Sequence, residues 1–330
     1  MLAFAIALVN CGNDTHTTPL SNQFAFIRQA IGDSVPISSV QHHAQLKDQH
    51  AFQHARTLVQ GAALKPWAVE IGPGSDSVVL MNSDGTGEQL IANLAGSFEA
   101  VQLAYDGKSG VAIARDINGQ HQVYCANLTD KNNPVVTQLT TENVDHWSAQ
   151  LSYDGKQVVY GKYVAAADAD TAVLMSTSGG AETVLAPGTD VEYPTFTPDG
   201  KIVFTDDRTA TISIMNADGS GMKPLISHTG TQWDWMPSVS PDGKTVTFYR
   251  CTSGAGCDIW TASMDGTGVK QITTDTYSWD PMFVNNKIVF LSERDTAGGN
   301  WNGQVYSMSP DGTNQKRLTN NSNNEYFDWW

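Results

Sequence analysis

The stretch QWDWMPSVSPDGKTVTFYRCTSGAGCDIWTASMDGTGVKQIT, residues 232–273, contains one complete structural unit. Ser-Pro-Asp-Gly-Lys at 240–244 is a tight-turn sequence, and the alternating run Thr245-Val246-Thr247-Phe248 that follows has the two-residue period of a half-buried strand. A second alternating run, Asp258 to Met264, ends at Asp265-Gly266, and a short strand carries Gln271-Ile272-Thr273. Asp-Gly between such runs marks a hairpin, because Gly and Asp tolerate the positive φ that tight turns need. The unit is therefore four antiparallel strands: one before each of the two turns, one between them and a short outer one.

The unit recurs in both directions. Tyr105-Asp106-Gly107, Tyr153-Asp154-Gly155, Pro198-Asp199-Gly200 and Pro241-Asp242-Gly243 repeat the first turn, with Asn285-Asn286 in the next equivalent place. Asp84-Gly85, Thr129-Asp130, Gly179-Gly180, Asp218-Gly219, Asp265-Gly266 and Asp311-Gly312 repeat the second. A period of roughly 40–50 residues with four strands is that of a β-propeller blade. Six second turns predict an all-β, six-bladed propeller over residues 22–330. The C-terminal Glu325 to Trp330 reads as the opening of a first strand, and Phe24 to Arg28 and Ser77 to Met81 read as the second and third strands of the same blade. Terminal strands sharing one blade would close the ring and remove its exposed edges.

The repeat Pro-x-Phe-(Ser/Thr)-Pro-Asp-Gly-Lys, followed by Ile-Val-Phe, Asp-Ile-Trp, Asp-Gly and Leu/Ile-Thr, resembles the PD40 (WD40-like) repeats of the TolB-like β-propeller family. The resemblance covers roughly residues 70–330 and is best from Asp190 to Thr319. It implies a periplasmic scaffold protein, although the same repeats occur in propeller domains of peptidases. The family's separate N-terminal α/β domain is not expected here, because only about fifty residues precede the second and third strands of the first blade. In its place, about residues 30–70 form an insertion whose centre, Gln41 to Gln60, has helical spacing. His50 and His54 share a helix face there, but no third ligand is evident, so a solvated polar face is expected rather than a metal site.

Residues 1–21 read as a signal and tether. Leu2 to Val9 is an apolar run too short to span a bilayer. Leu8-Val9-Asn10-Cys11 resembles a bacterial lipobox with Cys11 as the lipidated residue, although no Lys or Arg precedes the run and Asn10 replaces the usual small residue. A frayed apolar terminus without lipid is the other reading. Cys251 and Cys257 flank Thr-Ser-Gly-Ala-Gly between two strands and are expected to close that hairpin as a disulfide in an oxidising compartment. Cys125 is expected to be a buried free thiol. Together these features place the chain in the periplasm or at the outer membrane, attached only through lipid.

The net charge is −15, from 19 Lys+Arg against 34 Asp+Glu. Such a surface excludes nucleic acid and anionic lipid as partners, since both are bound by clustered cations. Aromatic and acidic residues gather where first strands begin: Asp145, His146, Trp147, Asp190, Glu192, Tyr193, Asp234, Trp235, Trp279, Asp280, Asp328 and Trp329. Asp145, Asp190, Asp234, Asp280 and Asp328 are placed at the same step of successive units. First strands line a propeller's channel, so these residues would form a rim suited to a cationic or hydroxylated partner through cation–π contact, stacking and hydrogen bonds. Packing between blades and turn capping are the alternative uses of the same residues. No Gly-x-Ser-x-Gly elbow, Walker A or dinucleotide fingerprint occurs. The expectation is a monomeric, non-enzymatic scaffold for an envelope protein or peptide, without a cofactor. The alternative is a carbohydrate-active hydrolase or lyase using rim carboxylates, with Ca²⁺ in the channel as a cation such carboxylates could hold.

Overall fold

The computed structural model describes residues 23–29, 77–82, 84–86, 89–90, 98–103, 109–115, 120–127, 129–130, 135–295, 303–320 and 324–326. Every described regular element is a strand. In chain order the first are β1 (Gln23–Gln29), β2 (Ser77–Asn82) and β3 (Gln89–Leu90). Blade 1 follows as β4 (Phe98–Leu103), β5 (Ser109–Arg115), β6 (His121–Asn127) and β7 (Val135–Gln138). Blade 2 is β8 (His146–Leu151), β9 (Gln157–Val164), β10 (Ala169–Ser176) and β11 (Thr183–Leu185). Blade 3 is β12 (Val191–Phe196), β13 (Ile202–Asp206), β14 (Thr211–Met215) and β15 (Lys223–Pro224). Blade 4 is β16 (Gln232–Val239), β17 (Thr245–Thr252), β18 (Gly256–Ser263) and β19 (Lys270–Gln271). Blade 5 is β20 (Ser278–Val284), β21 (Lys287–Ser292), β22 (Gln304–Met308) and β23 (Lys316–Arg317).

The fold is an all-β propeller of four-stranded antiparallel blades. The expectation of six like units needs correction: five blades are each continuous in sequence. The remaining four-stranded sheet is composite and runs in the order β24 (Asn324–Tyr326), β1, β2, β3. In it Ile27, Arg28 and Gln29 of β1 pair antiparallel with Tyr326, Glu325 and Asn324. First strands of neighbouring blades lie side by side, β4 against β8, β8 against β12, β12 against β16 and β16 against β20, which sets them around a common axis.

The Asp-Gly turns form as their chemistry requires. Asp84, Asp218, Asp265 and Asp311 each accept a hydrogen bond from the backbone N–H two residues on, at 2.9–3.0 Å. Asp154 and Asp242 do the same in the first turns, at 3.1 Å. Glycine is needed at the second turns for a further reason. Gly266 has φ of 85°, and a Cβ there would lie 2.3 Å from the Leu225 carbonyl oxygen of the preceding blade. The cores lie between blades. Val111, Ile113 and Val123 of blade 1 meet Leu151, Val158, Tyr160, Val173 and Met175 of blade 2. Equivalent clusters join blades 2 and 3, 3 and 4, and 4 and 5.

The helical insertion at about residues 30–70 with His50 and His54, the lipobox with Cys11, and Asp328 and Trp329 lie outside the described residues.

Candidate functional site: the channel rim

Four successive first strands break register at the same point. In β8 the break falls between Trp147 and Gln150, in β12 between Glu192 and Thr195, in β16 between Trp235 and Ser238, and in β20 between Trp279 and Met282. In each, two residues oppose one on the second strand, which is a β-bulge. The second of the two is Pro in three blades, Pro194, Pro237 and Pro281, a residue with no N–H to give a ladder. The residue opposite is a fully buried aromatic: Tyr160, Phe204, Phe248 or Phe290. The first bulge residue has left-handed φ without being glycine: Ser148 at 49°, Tyr193 at 50°, Met236 at 50° and Asp280 at 51°. Each such residue costs on the order of 1–3 kcal/mol, so a fourfold recurrence marks a position that the fold holds against strain.

The bulge fixes which rim residues correspond. Trp147, Glu192, Trp235 and Trp279 occupy one level, immediately before the kink, and all four are half-buried. The described aspartates do not share a step, contrary to the sequence alignment. Asp145 and Asp190 stand two residues before that level, Asp234 one before and Asp280 one after. Their chemistry differs accordingly.

Asp145 and Asp190 do equivalent work between blades. Asp145 accepts from the backbone N–H of His121, with the His121 ring nitrogen also at 2.9 Å. Asp190 accepts from the backbone N–H of Asp170 at 2.8 Å. Asp234 is fully buried and gripped by Arg250, Nε at 2.6 Å and Nη2 at 2.8 Å. Burial drives its pKa upward, with the guanidinium opposing. The Arg250 guanidinium also stacks 4.8 Å from the Trp260 ring. Asp234 is thus an internal ion pair and is not available to a partner. Asp280 is only 6% exposed, and burial pushes its carboxyl up to about 8, so at neutral pH it is largely protonated.

The negative charge carried near the starts of the first strands is consequently lopsided. Asp190 and Glu192 converge with Asp170, one carboxylate oxygen from each within 4.8 Å of the others, at the junction of blades 2 and 3. Around them lie aromatic groups with partner contacts of their own. Trp147 tilts against the His121 ring at 4.1 Å, and Trp235 meets Tyr193 edge-on at 6.2 Å. Trp279 packs on the core between blades 4 and 5. Each indole therefore serves blade packing on one side while remaining partly exposed.

A second polar group lies between blades 1 and 2. His146 is fully buried, with Nδ1 2.9 Å from the His121 carbonyl oxygen, and burial holds its pKa below the ordinary value. Lys162 bridges Glu142 and Glu182, and the Tyr160 hydroxyl donates to Glu182 at 2.6 Å. Asp170, Glu142, Glu182, Lys162 and Arg250 were not singled out in the sequence. Two of them carried a readable signal: Val158-Tyr160-Lys162 and Val246-Phe248-Arg250 each put a cation in phase with a strand's buried face, where an unpaired charge is too costly to be incidental.

Cys251 and Cys257 form the expected disulfide, across paired positions of β17 and β18 with Cα atoms 4.0 Å apart. Cys125 is fully buried and, contrary to the expectation, is disulfide-bonded rather than free.

No family model matches the sequence. A stretch of 71 residues, 21% of the chain, is 38% identical to the Tol-Pal system protein TolB of Rhizorhabdus wittichii and spans 16% of that protein's length. TolB from Acinetobacter baumannii superposes with a TM-score of 0.66 at 16% identity, over 94% of this chain and 67% of that one. The putative TolB from Agrobacterium tumefaciens does so with a TM-score of 0.61 at 20% identity, over 78% of this chain and 99% of that one. The chain carries a TolB-like β-propeller. An oligogalacturonate lyase in complex with manganese also superposes, with a TM-score of 0.52 at 14% identity, over 74% of this chain and 71% of that one. At such identities these likenesses concern the fold of the TolB-like propeller and leave its chemistry to its own residues.

Proposed function

We propose that this TolB-like propeller is a non-enzymatic, monomeric component of the bacterial cell envelope that binds a protein or peptide through the rim of its channel. One observation carries the reading: four successive bulges set Trp147, Glu192, Trp235 and Trp279 at a single level, half-buried, beside an acidic cluster. Partly exposed indoles give area at low entropy cost, and Asp190 and Glu192 supply an off-centre negative point for a basic side chain. The ring is completed as a sixth blade by β24 with β1, β2 and β3. Affinity capture from envelope extract tests the binding. Trp235→Ala and Glu192→Gln are each expected to lower recovery of a specific protein at least tenfold, while thermal unfolding confirms the fold. Undiminished recovery in both would remove the rim from the account.

Export to the periplasm and a lipid on Cys11 belong to the same proposal. A lipid on Cys11 requires that Cys125 is not bonded to it, since the chain has four cysteines and Cys251 and Cys257 pair with each other; acyl labelling at Cys11 is the outcome that supports the lipid. Non-reducing peptide mapping provides the contrary outcome, because a peptide linking Cys11 to Cys125 would leave no thiol for the lipid.

A second reading is favoured by Asp170, Asp190 and Glu192. One carboxylate oxygen from each lies within 4.8 Å of the others, and such a group suits a shared Ca²⁺. In that reading the cation would fix an anionic or hydroxylated sugar at the rim. Calorimetric titration with Ca²⁺ decides it: binding lost in Asp190→Asn supports the cation, and no heat in the wild type ends it.

A further inference from the structure

The position one residue before the bulge level carries a different solution in each blade. In blade 4 it is Asp234, paired in register with Arg250, and the two charges satisfy each other. In blade 2 it is His146, paired in register with Lys162, and neither can satisfy the other in that way. Lys162 turns instead to two glutamates from outside the strand pair, Glu142 from the connection between blades 1 and 2 and Glu182 from the approach to β11.

His146 is fully buried, and its Nδ1 faces the His121 carbonyl oxygen at 2.9 Å. A carbonyl only accepts, so Nδ1 carries the hydrogen and Nε2 presents a lone pair. That Nε2 is buried and, among the described residues, has no hydrogen-bond partner. A buried acceptor left unmade is costly, and a ring N–H held by a backbone carbonyl is how metal-ligating histidines are oriented. His146 belongs to a group with Glu142 and Glu182, in which one ligand atom of each residue lies within 4.8 Å of the others.

We propose that Glu142, His146 and Glu182 form a binding site for a divalent transition metal of the Zn²⁺ class, with the Lys162 ammonium as the cation that the metal displaces. One imidazole nitrogen and two carboxylate oxygens suit a borderline ion such as Zn²⁺, and a water completes four-coordination. Two carboxylates balance the metal's charge, as Lys162 half balances theirs. The route in is open, because the Glu142 side chain is 52% exposed. Lys162 is 17% exposed on a flexible stem and has solvent to turn towards. The bound ion would join the connection ahead of blade 2 to its first strand and to the approach to its fourth, beside the core shared with blade 1.

The experiment uses the full chain with Zn²⁺ alone as the calorimetric probe and Co²⁺ alone as the spectroscopic one. Lys162→Met removes the competitor and is expected to bind one Zn²⁺ per chain at least tenfold more tightly than wild type. Co²⁺ is expected to give a visible ligand-field band in Lys162→Met that His146→Gln, added to it, abolishes. If the His146 variant does not fold, as judged by thermal unfolding without metal, Glu142→Gln in the Lys162→Met background serves the same purpose at a more exposed position. It is expected to weaken Zn²⁺ at least tenfold. The proposal is overturned if Lys162→Met fails to tighten Zn²⁺, or if the bound metal is indifferent to His146 and Glu142.

Discussion

At the residue scale, the rim aspartates separate by environment. Asp234→Ala leaves the Arg250 guanidinium charged and buried among aromatic rings, and removing one partner of a buried pair costs roughly 3–5 kcal/mol. Chemical denaturation is expected to register that loss, far more than for the exposed pair of Asp199 with Lys201, which contributes about 1 kcal/mol at most. Asp280 predicts a pH effect of opposite sign to the usual carboxylate. Its folded pKa, about 8, is raised above the unfolded value of 3.8, so the folded state holds the extra proton between those limits. Stability is then lost as pH rises through that window and is flat above it. Glu293, pushed to about 7 by burial, adds the same sign. Asp280→Asn is expected to flatten the decline between pH 5 and 8 in thermal unfolding, and an unchanged decline would count against a buried acid. On the other side, hydrogen bonds to Thr197 and Lys201 hold Asp199 below the usual carboxylate range, so its contribution falls away in acid. The sequence gathers acids near the starts of the first strands as a group. It could not separate Asp234 from Asp280, because both follow a tryptophan, Trp233 and Trp279, and only the position of the bulge shows that these two Trp-Asp pairs stand at different steps.

At the element scale, the turns and the bulges divide the work of placing blades. The Asp-Gly hairpins were legible in full, since their carboxylates satisfy their own backbone within three residues. What local sequence does not disclose is that the glycine also admits the neighbouring blade. Gly266→Ala meets both a left-handed φ and the Leu225 carbonyl at 2.3 Å, and is expected to cost at least about 2 kcal/mol in denaturant unfolding. The same change at Gly200, where nothing lies within 4 Å, should cost only the backbone term. The bulges were half legible. Pro194, Pro237 and Pro281 announce an interrupted ladder, but blade 2 makes the same bulge with Ala149, so the proline assists the kink without being required for it. The disulfide of β17 and β18 follows from spacing, whereas the bonded Cys125 reads as a free thiol because no other cysteine lies near it in the chain.

At the scale of the whole molecule, repetition carried the fold. A period visible from Tyr105 to Asn286 is enough to specify blades, and five of them are continuous segments. The composite sheet rests on three paired residues of β24 against β1. Deleting residues 324–330 would leave the β1 edge unpaired, and is expected to lower the unfolding midpoint and promote self-association seen by light scattering. Function was legible only as an expected location, because the residues that pack the blades are of the same types that a partner would use. The central claim is that the end of the channel bearing the bulges contacts the partner. Site-specific photo-crosslinking tests it directly, with the probe at Glu192 on that rim or at Asp242 in the turns at the opposite end of the strands. Adducts with one envelope protein from position 192 and none from position 242 are expected; adducts from position 242 alone, or from neither, would contradict the claim.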